Sequence, residues 1–289
     1  MSRLRVTAAG IALFGAALSL STMGNWGGVK TAFAAPAGSG AYLGFDRNVY
    51  PGDAAMPVLR KTFAYSSYWL SPPPGEKINT WQGKREWLRS LGFGFLVLYR
   101  GRDSRELRKS ADATAKGNAD ARDAIASAKH EGFPPGTIIF LDIEEGGRLP
   151  ETYHAYLKIW SEELKKAGFH AGVYGSAIPV KEEPTVSITT VDDIRAHAAT
   201  HDMVLWAYND VCPPAPGCTF PENPPATAGS GIPAATVWQF AQSPRRKEYS
   251  ARCATTYAKD GNCYAPGDAA HAWFLDVNSA TTSDPSNGK

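Results

Sequence analysis

Eight short runs of apolar, β-branched and aromatic residues recur along the chain and are typical of β-strands. Their interiors are continuously apolar, as in parallel strands that are covered on both faces. The predicted strands span Tyr42–Asp46, Thr62–Trp69, Gly94–Arg100, Thr137–Glu144, Ala171–Ser176, Met203–Tyr208, Thr236–Ala241 and Trp273–Asn278.

Helical patterns lie between several of these strands, and they define the expected fold. Helices are predicted over Trp81–Leu91, Lys116–Glu131, Glu151–Ala167 and Val191–Ala199. Strands that alternate with helices indicate a parallel sheet, and eight of them in about 250 residues predict a single-domain α/β fold, a (β/α)8 TIM barrel over residues 42–280. An open doubly wound sheet is the alternative. No glycine-rich phosphate loop follows the first strand, which disfavours a nucleotide-binding version of that sheet.

The two ends of the chain differ in composition from the barrel. Arg3 and Arg5, the apolar run Val6–Leu20 and the small-residue site Ala32-Phe33-Ala34 predict a Sec-type signal peptide over residues 1–34. An uncleaved anchor is the alternative, although the apolar run is shorter than the ~20 residues that span a membrane. The interpretation is a secreted, extracellular protein without stable membrane insertion. Residues 35–41 are predicted to form a flexible leader and residues 281–289 a disordered polar tail.

Charge and composition exclude some partners. Removing residues 1–34 takes away three of the 30 Lys and Arg residues and none of the 28 Asp and Glu residues, which leaves a net charge of −1. No basic patch is strong enough to indicate nucleic-acid binding. Eight Trp, 12 Tyr and 12 Phe can build a sizeable core, and aromatic side chains also suit sugar binding.

The four cysteines form two local pairs in loop-like sequence, after the sixth and seventh predicted strands. In a secreted chain they predict disulfides, and their spacing favours Cys212–Cys218 and Cys253–Cys263 among the three possible connectivities. A zinc site is the rival interpretation, but the spacings do not suit zinc and no His lies near either pair. If the barrel is correct, the two loops wall its functional face.

Acidic residues collect at the predicted strand ends, where barrels of this class carry their function. Asp142 and Glu144 lie two residues apart and therefore point to the same face, into the barrel mouth, whereas Glu145 points elsewhere. Asp46 and Asp276 come from strands that become neighbours when the barrel closes. Four carboxylates are thus predicted to converge at one mouth.

Such a cluster suits glycoside hydrolysis. Like charges raise the pKa of at least one member, so that one carboxyl can act as a general acid while an ionised neighbour stabilises an oxocarbenium-like transition state. We therefore assign Glu144, Asp142, Asp46 and Asp276 as candidate catalytic residues. Candidate substrate-binding residues from the same strand ends are Tyr99, Arg100, Tyr174, Trp206, Tyr208 and Gln239.

Each signal also has a structural alternative. Asp142 alone could be a buried, hydrogen-bonded residue, Glu144 could pair with Arg100, and Asp276 could cap a loop. The acids could also hold a divalent cation, although no His accompanies them. No cofactor and no metal are predicted. No Gly-x-Ser-x-Gly elbow or His-Glu-x-x-His helix is present, and no thiol remains once the disulfides form.

A series of short motifs resembles a known family. "GFD" on the first predicted strand, "LDIE" on the fourth, "GVYGS" on the fifth, "LWAY" on the sixth, "VWQF" on the seventh and "LDVN" on the eighth resemble the family 25 glycoside hydrolases, which are lysozymes. "GFDRN" and "FAYSSYWL" are more similar to a sister group, the secreted bacterial glycoside-hydrolase-like proteins known as domain of unknown function 1906. The resemblance runs from about Tyr42 to Ala280, and the order of the motifs across eight strands is its most specific feature.

The resemblance implies a role for each acid. Glu144 matches the family 25 proton donor, Asp142 the acid that assists the N-acetyl group of the substrate or stabilises the cation, and Asp46 and Asp276 the flanking acids. The implied substrate is peptidoglycan, and a monomer is the default. The third strand departs from the family, because "LYRG" replaces the usual Lys-Ala-Thr-Glu-Gly type of run and places Arg100 near the mouth. A carbohydrate-binding protein without turnover and a hydrolase of another polysaccharide are the competing functions.

Overall fold

Eight strands close on themselves to form the wall of a barrel. The computed structural model describes residues 41–210, 224–241, 265–270 and 272–289. The barrel order is β1-β10-β9-β8-β5-β4-β3-β2, and β6 and β7 form a separate hairpin. The strands are β1 (Tyr42–Asp46), β2 (Tyr65–Trp69), β3 (Gly94–Arg100), β4 (Ile138–Asp142), β5 (His170–Ser176), β6 (Val180–Lys181), β7 (Ser187–Ile188), β8 (Val204–Tyr208), β9 (Val237–Ala241) and β10 (Asp276–Ala280). The predicted class, a TIM-type α/β barrel, is confirmed.

The last barrel strand departs from the predicted parallel arrangement. β10 runs antiparallel to both of its neighbours, β1 and β9, and the other neighbouring strands of the barrel are parallel. Asp46 at the end of β1 pairs in register with Asp276 at the start of β10. The reversal therefore brings Asp276 to the rim where the parallel strands finish.

Five α-helices occur in the part of the chain that the structure describes. They are α1 (Met56–Leu59), α2 (Arg85–Ser90), α3 (Ser110–His130), α4 (Glu151–Lys166) and α5 (Thr190–Ala196). The predicted apolar face of α4 is buried, since Tyr153, Tyr156, Leu157, Trp160 and Leu164 are all inaccessible to solvent. α5 begins at a regular N-cap, because the Thr189 hydroxyl accepts a hydrogen bond from Asp192 N at 3.0 Å.

The C-terminal segment corrects the prediction of a disordered tail. Asp284 Oδ1 accepts a hydrogen bond from Phe95 N at 2.9 Å, and the fully buried Ser286 accepts one from Val97 N at 2.8 Å. The segment passes so close to β3 that a Cβ on Gly94 would lie 1.9 Å from Ser283 O. Residues 281–289 thus hydrogen-bond to β3 and to the start of β4, and they belong to the folded domain.

Several predictions concern residues outside the described ranges. The signal peptide and most of the leader lie there, and so do Cys212, Cys218, Cys253 and Cys263, so the disulfide pairing stays a prediction. Among the residues that the structure describes, no helix has both the length and the apolar character needed to cross a membrane.

Candidate functional site

A cavity of about 300 Å³ opens at the rim where the parallel strands end. The predicted acids Asp46, Asp142, Glu144 and Asp276 all line it. The other described residues of its wall are Arg47, Asn48, Val49, Trp69, Leu98, Tyr174, Trp206 and Phe274. The barrel therefore brings together side chains from β1, β2, β3, β4, β5, β8 and β10 at one site.

Asp46 is held at the bottom of this cavity by a chain of hydrogen bonds. Asn278 Nδ2 donates to Asp46 Oδ2 at 2.6 Å, and Asn278 Oδ1 accepts from Trp206 Nε1 at 2.9 Å. The indole therefore fixes the orientation of the Asn278 amide. Burial raises the pKa of Asp46 from its ordinary 3.8 to about 7; the Asn278 hydrogen bond opposes this effect, and the negative charge of Glu144 adds to it.

Asp142 lies at the end of β4 and is also buried, with 5% of its surface exposed. Burial raises the pKa of Asp142 well above its ordinary value, and the charges of Glu144 and Asp46 raise it further. Arg100, its register neighbour on β3, has a smaller and opposite effect on this pKa. The chain just after β3 approaches closely here, since a Cβ on Gly101 would lie 2.0 Å from Asp142 O.

The two glutamates that follow β4 lie in different surroundings. Glu144 is exposed and lines the cavity, where it can reach a bound molecule. The Glu145 carboxylate instead accepts a hydrogen bond from Ser104 N, at the start of a 3-10 turn over Ser104–Glu106. The charge of Glu144 acts on both buried aspartates and raises the pKa of each.

The predicted substrate-binding residues divide into two groups. Tyr174 and Trp206 line the cavity. Tyr208 stacks on Tyr174 with ring centroids 5.1 Å apart, and Gln239 is buried beside Tyr208 in the barrel register, so these two support the cavity wall from behind.

The structure corrects the placement of Tyr99 and Arg100. Tyr99 points to the outside of the barrel because Leu98, its neighbour on β3, takes the inward direction. The Tyr99 hydroxyl donates to Asp123 Oδ2 on α3 at 2.9 Å, and its ring lies 5.3 Å from that of Trp160. Arg100 is exposed and does not line the cavity.

Six cavity residues were not identified as site residues from the sequence: Arg47, Asn48, Val49, Trp69, Leu98 and Phe274. Trp69 ends β2, so the same search of strand ends could have found it. Phe274 precedes β10 and reaches the rim only because that strand is antiparallel. Arg47 follows Asp46 directly, and this position next to a predicted site acid is the signal that could have identified it. Within the described ranges, no group of three His, Cys, Asp or Glu side chains is arranged to hold a metal ion.

Asp46 is expected to lower the stability of the fold at alkaline pH. In the folded protein the Asp46 carboxyl keeps its proton up to about pH 7, whereas in the unfolded chain it releases the proton near pH 3.8. The free energy of unfolding therefore falls as the pH rises between these values. Above pH 7 the total loss in the free energy of unfolding is about 4 kcal/mol. Asp46→Asn should therefore raise the melting temperature at pH 8 and change it little at pH 4, as measured by calorimetry. An equal change in melting temperature at pH 4 and pH 8 would contradict the raised pKa of Asp46.

The fold and the cavity define a class of protein: a TIM-type α/β barrel with a cluster of carboxyl groups and aromatic rings at the rim where its parallel strands end. Residues 79–212 match the family model described as Rv2525c-like, glycoside hydrolase-like domain. The match confirms the resemblance drawn from the sequence motifs.

Solved structures show similar folds. An uncharacterized protein from B. stearothermophilus is 21% identical, with a TM-score of 0.51 over 83% of this chain and 95% of that chain. The Tat-secreted protein Rv2525c of Mycobacterium tuberculosis, in complex with L-tartrate, is 17% identical, with a TM-score of 0.49 over 86% and 99%. A family 25 glycosyl hydrolase from Bacillus anthracis is 12% identical, with a TM-score of 0.44 over 83% and 89%. No curated protein matches the sequence.

Proposed function

We propose that the cavity is the active site of a secreted, muramidase-like glycoside hydrolase that acts on peptidoglycan. The observation that carries the proposal is the convergence of Asp46, Asp142 and Glu144, two of them buried with raised pKa values, on one aromatic-lined cavity. A cluster that holds protons near neutral pH can supply one to a glycosidic oxygen. The match of residues 79–212 to a glycoside hydrolase-like domain supports the same chemistry.

Glu144 is the proposed proton donor because it is the exposed acid of the cluster. Its proton passes to the glycosidic oxygen while the bond between that oxygen and C1 of the sugar breaks. The acetamido oxygen of the substrate then forms a bond to C1. Water subsequently attacks C1 and displaces that oxygen, and the Glu144 carboxylate takes a proton from the water, which returns the enzyme to its starting state.

Asp142 is the proposed stabiliser of the positive charge that develops on the sugar. It lies deeper than Glu144 and holds its proton strongly in the free protein. A cation beside a carboxyl group favours its ionised form, so Asp142 would release its proton to water in the cavity as the charge develops, and the carboxylate would take a proton back when the cation is consumed. Stabilisation that is greater in the transition state than in the ground state is what accelerates a reaction.

Phe274 is expected to bind a sugar ring. Its side chain is 42% exposed, and the residue lines the cavity. An apolar ring face at the mouth can stack on the C–H face of a sugar, so Phe274→Ala should raise KM roughly 10-fold, about 1.4 kcal/mol, with little change in kcat. Steady-state kinetics on soluble glycan strands would measure this.

Trp87 provides the matched control for Phe274. It is 40% exposed, but it lies on α2 and does not line the cavity. Trp87→Ala should leave KM unchanged. If both variants raise KM equally, or if neither does, Phe274 has no special role in binding.

The remaining parts of the proposal concern location and assembly. Residues 1–34 would direct export by the Sec route, and the mature chain would act as a monomer on the polysaccharide outside the cell. The cysteine-bearing loops follow β8 and β9, and β8 contributes Trp206 to the cavity. They would wall the cleft, and selective reduction of their disulfides should weaken glycan binding before the barrel unfolds.

Purified peptidoglycan offers the direct test of the proposed function. We expect turbidity to fall and reducing ends to appear between pH 4 and 8, with a rate that declines as the pH rises through about 7 and Asp46 loses its proton. If no reducing ends appear while the protein still pellets with the insoluble wall, the protein is a glycan-binding protein and not a hydrolase.

A further inference from the structure

Arg47 introduces a cation into a cavity that is otherwise rich in acids. It follows Asp46 directly, lines the cavity and is half-buried. Burial lowers the pKa of its guanidinium, and the charge of Asp268 partly offsets that effect. Lysine and arginine at a protein surface are solvated by water, but a partly desolvated cation requires an anionic partner to offset its cost.

The backbone of Arg47 is held rigidly. Its N–H donates to Ser67 Oγ at 3.1 Å. Its carbonyl oxygen accepts from Trp69 Nε1 at 3.1 Å and from Trp81 Nε1 at 3.2 Å. Both indoles are buried, and they anchor the residue through its main chain alone. The side chain therefore starts from a fixed point beside Asp46, and replacing it leaves these hydrogen bonds in place.

The guanidinium itself has no direct partner within the described ranges. No described residue accepts a hydrogen bond from it or forms an ion pair with it, and the influence of Asp268 is electrostatic. The Asp268 carboxylate already accepts hydrogen bonds from Ala272 N at 2.8 Å and Trp273 N at 2.7 Å. By contrast, five other arginines pair with carboxylates: Arg85, Arg89, Arg102, Arg105 and Arg148.

We propose that Arg47 binds a carboxylate group carried by the glycan and so makes the site selective for acidic sugars. This inference rests on the proposed function, because it places the acidic sugar in the same cavity as the scissile bond. The planar guanidinium matches a carboxylate with two parallel hydrogen bonds. Any ionised acid at the mouth repels an anion, and the Arg47 cation offsets that repulsion.

The chemistry fits two kinds of acidic sugar. One is a hexuronic acid, and the other is a muramic acid whose lactyl carboxyl group is free. The ligands for the test are therefore peptide-free glycan strands of peptidoglycan, hyaluronan oligosaccharides and neutral N-acetylglucosamine oligomers of equal length. All titrations use protein that also carries Glu144→Gln, so that a bound glycan is not consumed.

We expect Arg47→Gln to weaken binding of an acidic glycan about 10- to 100-fold and to leave binding of the neutral oligomer within a factor of two. Arg47→Lys should restore part of the loss, because it keeps the charge but not the paired geometry. Raising the salt concentration should weaken binding of the acidic glycan more than binding of the neutral one. The acidic glycan that shows the loss identifies the source of the carboxylate.

Two results would overturn the inference. Equal affinity of Arg47→Gln and its parent for every acidic glycan would do so, and so would an equal loss for acidic and neutral glycans. Either result leaves the proposed function intact if protein with Glu144 restored still releases reducing ends. If none of the three glycans binds the parent protein and none is cleaved once Glu144 is restored, the inference and the proposed function both fail.

Discussion

Glu144→Gln is expected to lower kcat/KM for peptidoglycan by about 10²- to 10⁴-fold, the usual contribution of a general acid. The glutamine has the same shape but cannot donate a proton to the leaving oxygen. Because Glu144 is exposed at the cavity, the replacement disturbs no buried packing. Glycan binding should be retained, so the loss should appear in kcat while pelleting with the wall stays the same.

The neighbouring glutamate offers the control for this variant. The Glu145 carboxylate accepts a hydrogen bond from Ser104 N, and a glutamine oxygen can accept the same bond. Glu145→Gln should therefore keep the activity of the wild type. Similar losses in the two variants would show that the segment after β4 matters for folding and not for proton transfer.

Asp142→Asn is expected to lower kcat by about 10²- to 10³-fold, because an amide cannot become the anion that stabilises the developing cation. The same replacement should stabilise the fold at pH 8, since the folded protein already favours the neutral form of this buried side chain. The gain should vanish as the pH falls below the ordinary pKa of an aspartate, where both states hold the proton. Kinetics and thermal unfolding at pH 4 and 8 would measure both effects.

A variant that loses activity but gains stability identifies a residue that is kept for function. Asp123→Asn, on the outer face of the barrel where Tyr99 donates to it, should leave kcat unchanged. A destabilised Asp142→Asn protein would indicate that Asp142 is a structural aspartate, the alternative that the sequence left open.

The strands could be predicted from the sequence because each is a short apolar run between polar segments. The direction of β10 could not, since such a run looks the same in parallel and antiparallel pairs. The direction matters for the site, because Asp276 reaches the rim from the start of β10 and not from the end of a parallel strand. Phe274 enters the cavity for the same reason.

The wrong predictions for Tyr99 and for residues 281–289 also have local physical causes. Tyr99 and Leu98 are adjacent, and which of them faces inward depends on the phase of β3 and not on residue type. The segment over residues 281–289 is polar, which suggested disorder. It is held instead by the hydrogen bonds of Asp284 and Ser286 to β3, which no periodicity in the sequence reveals. The hydrogen-bond chain from Trp206 through Asn278 to Asp46 likewise depends on barrel closure.

Digestion of purified peptidoglycan in H₂¹⁸O tests the central claim most directly. Hydrolysis at the cavity predicts one ¹⁸O atom at each new sugar reducing end, detected by mass spectrometry of the released fragments and absent with Glu144→Gln. Fragments without the label, or no fragments from a protein that still binds the wall, would contradict glycoside hydrolysis and leave the acid cluster as a site that binds sugar.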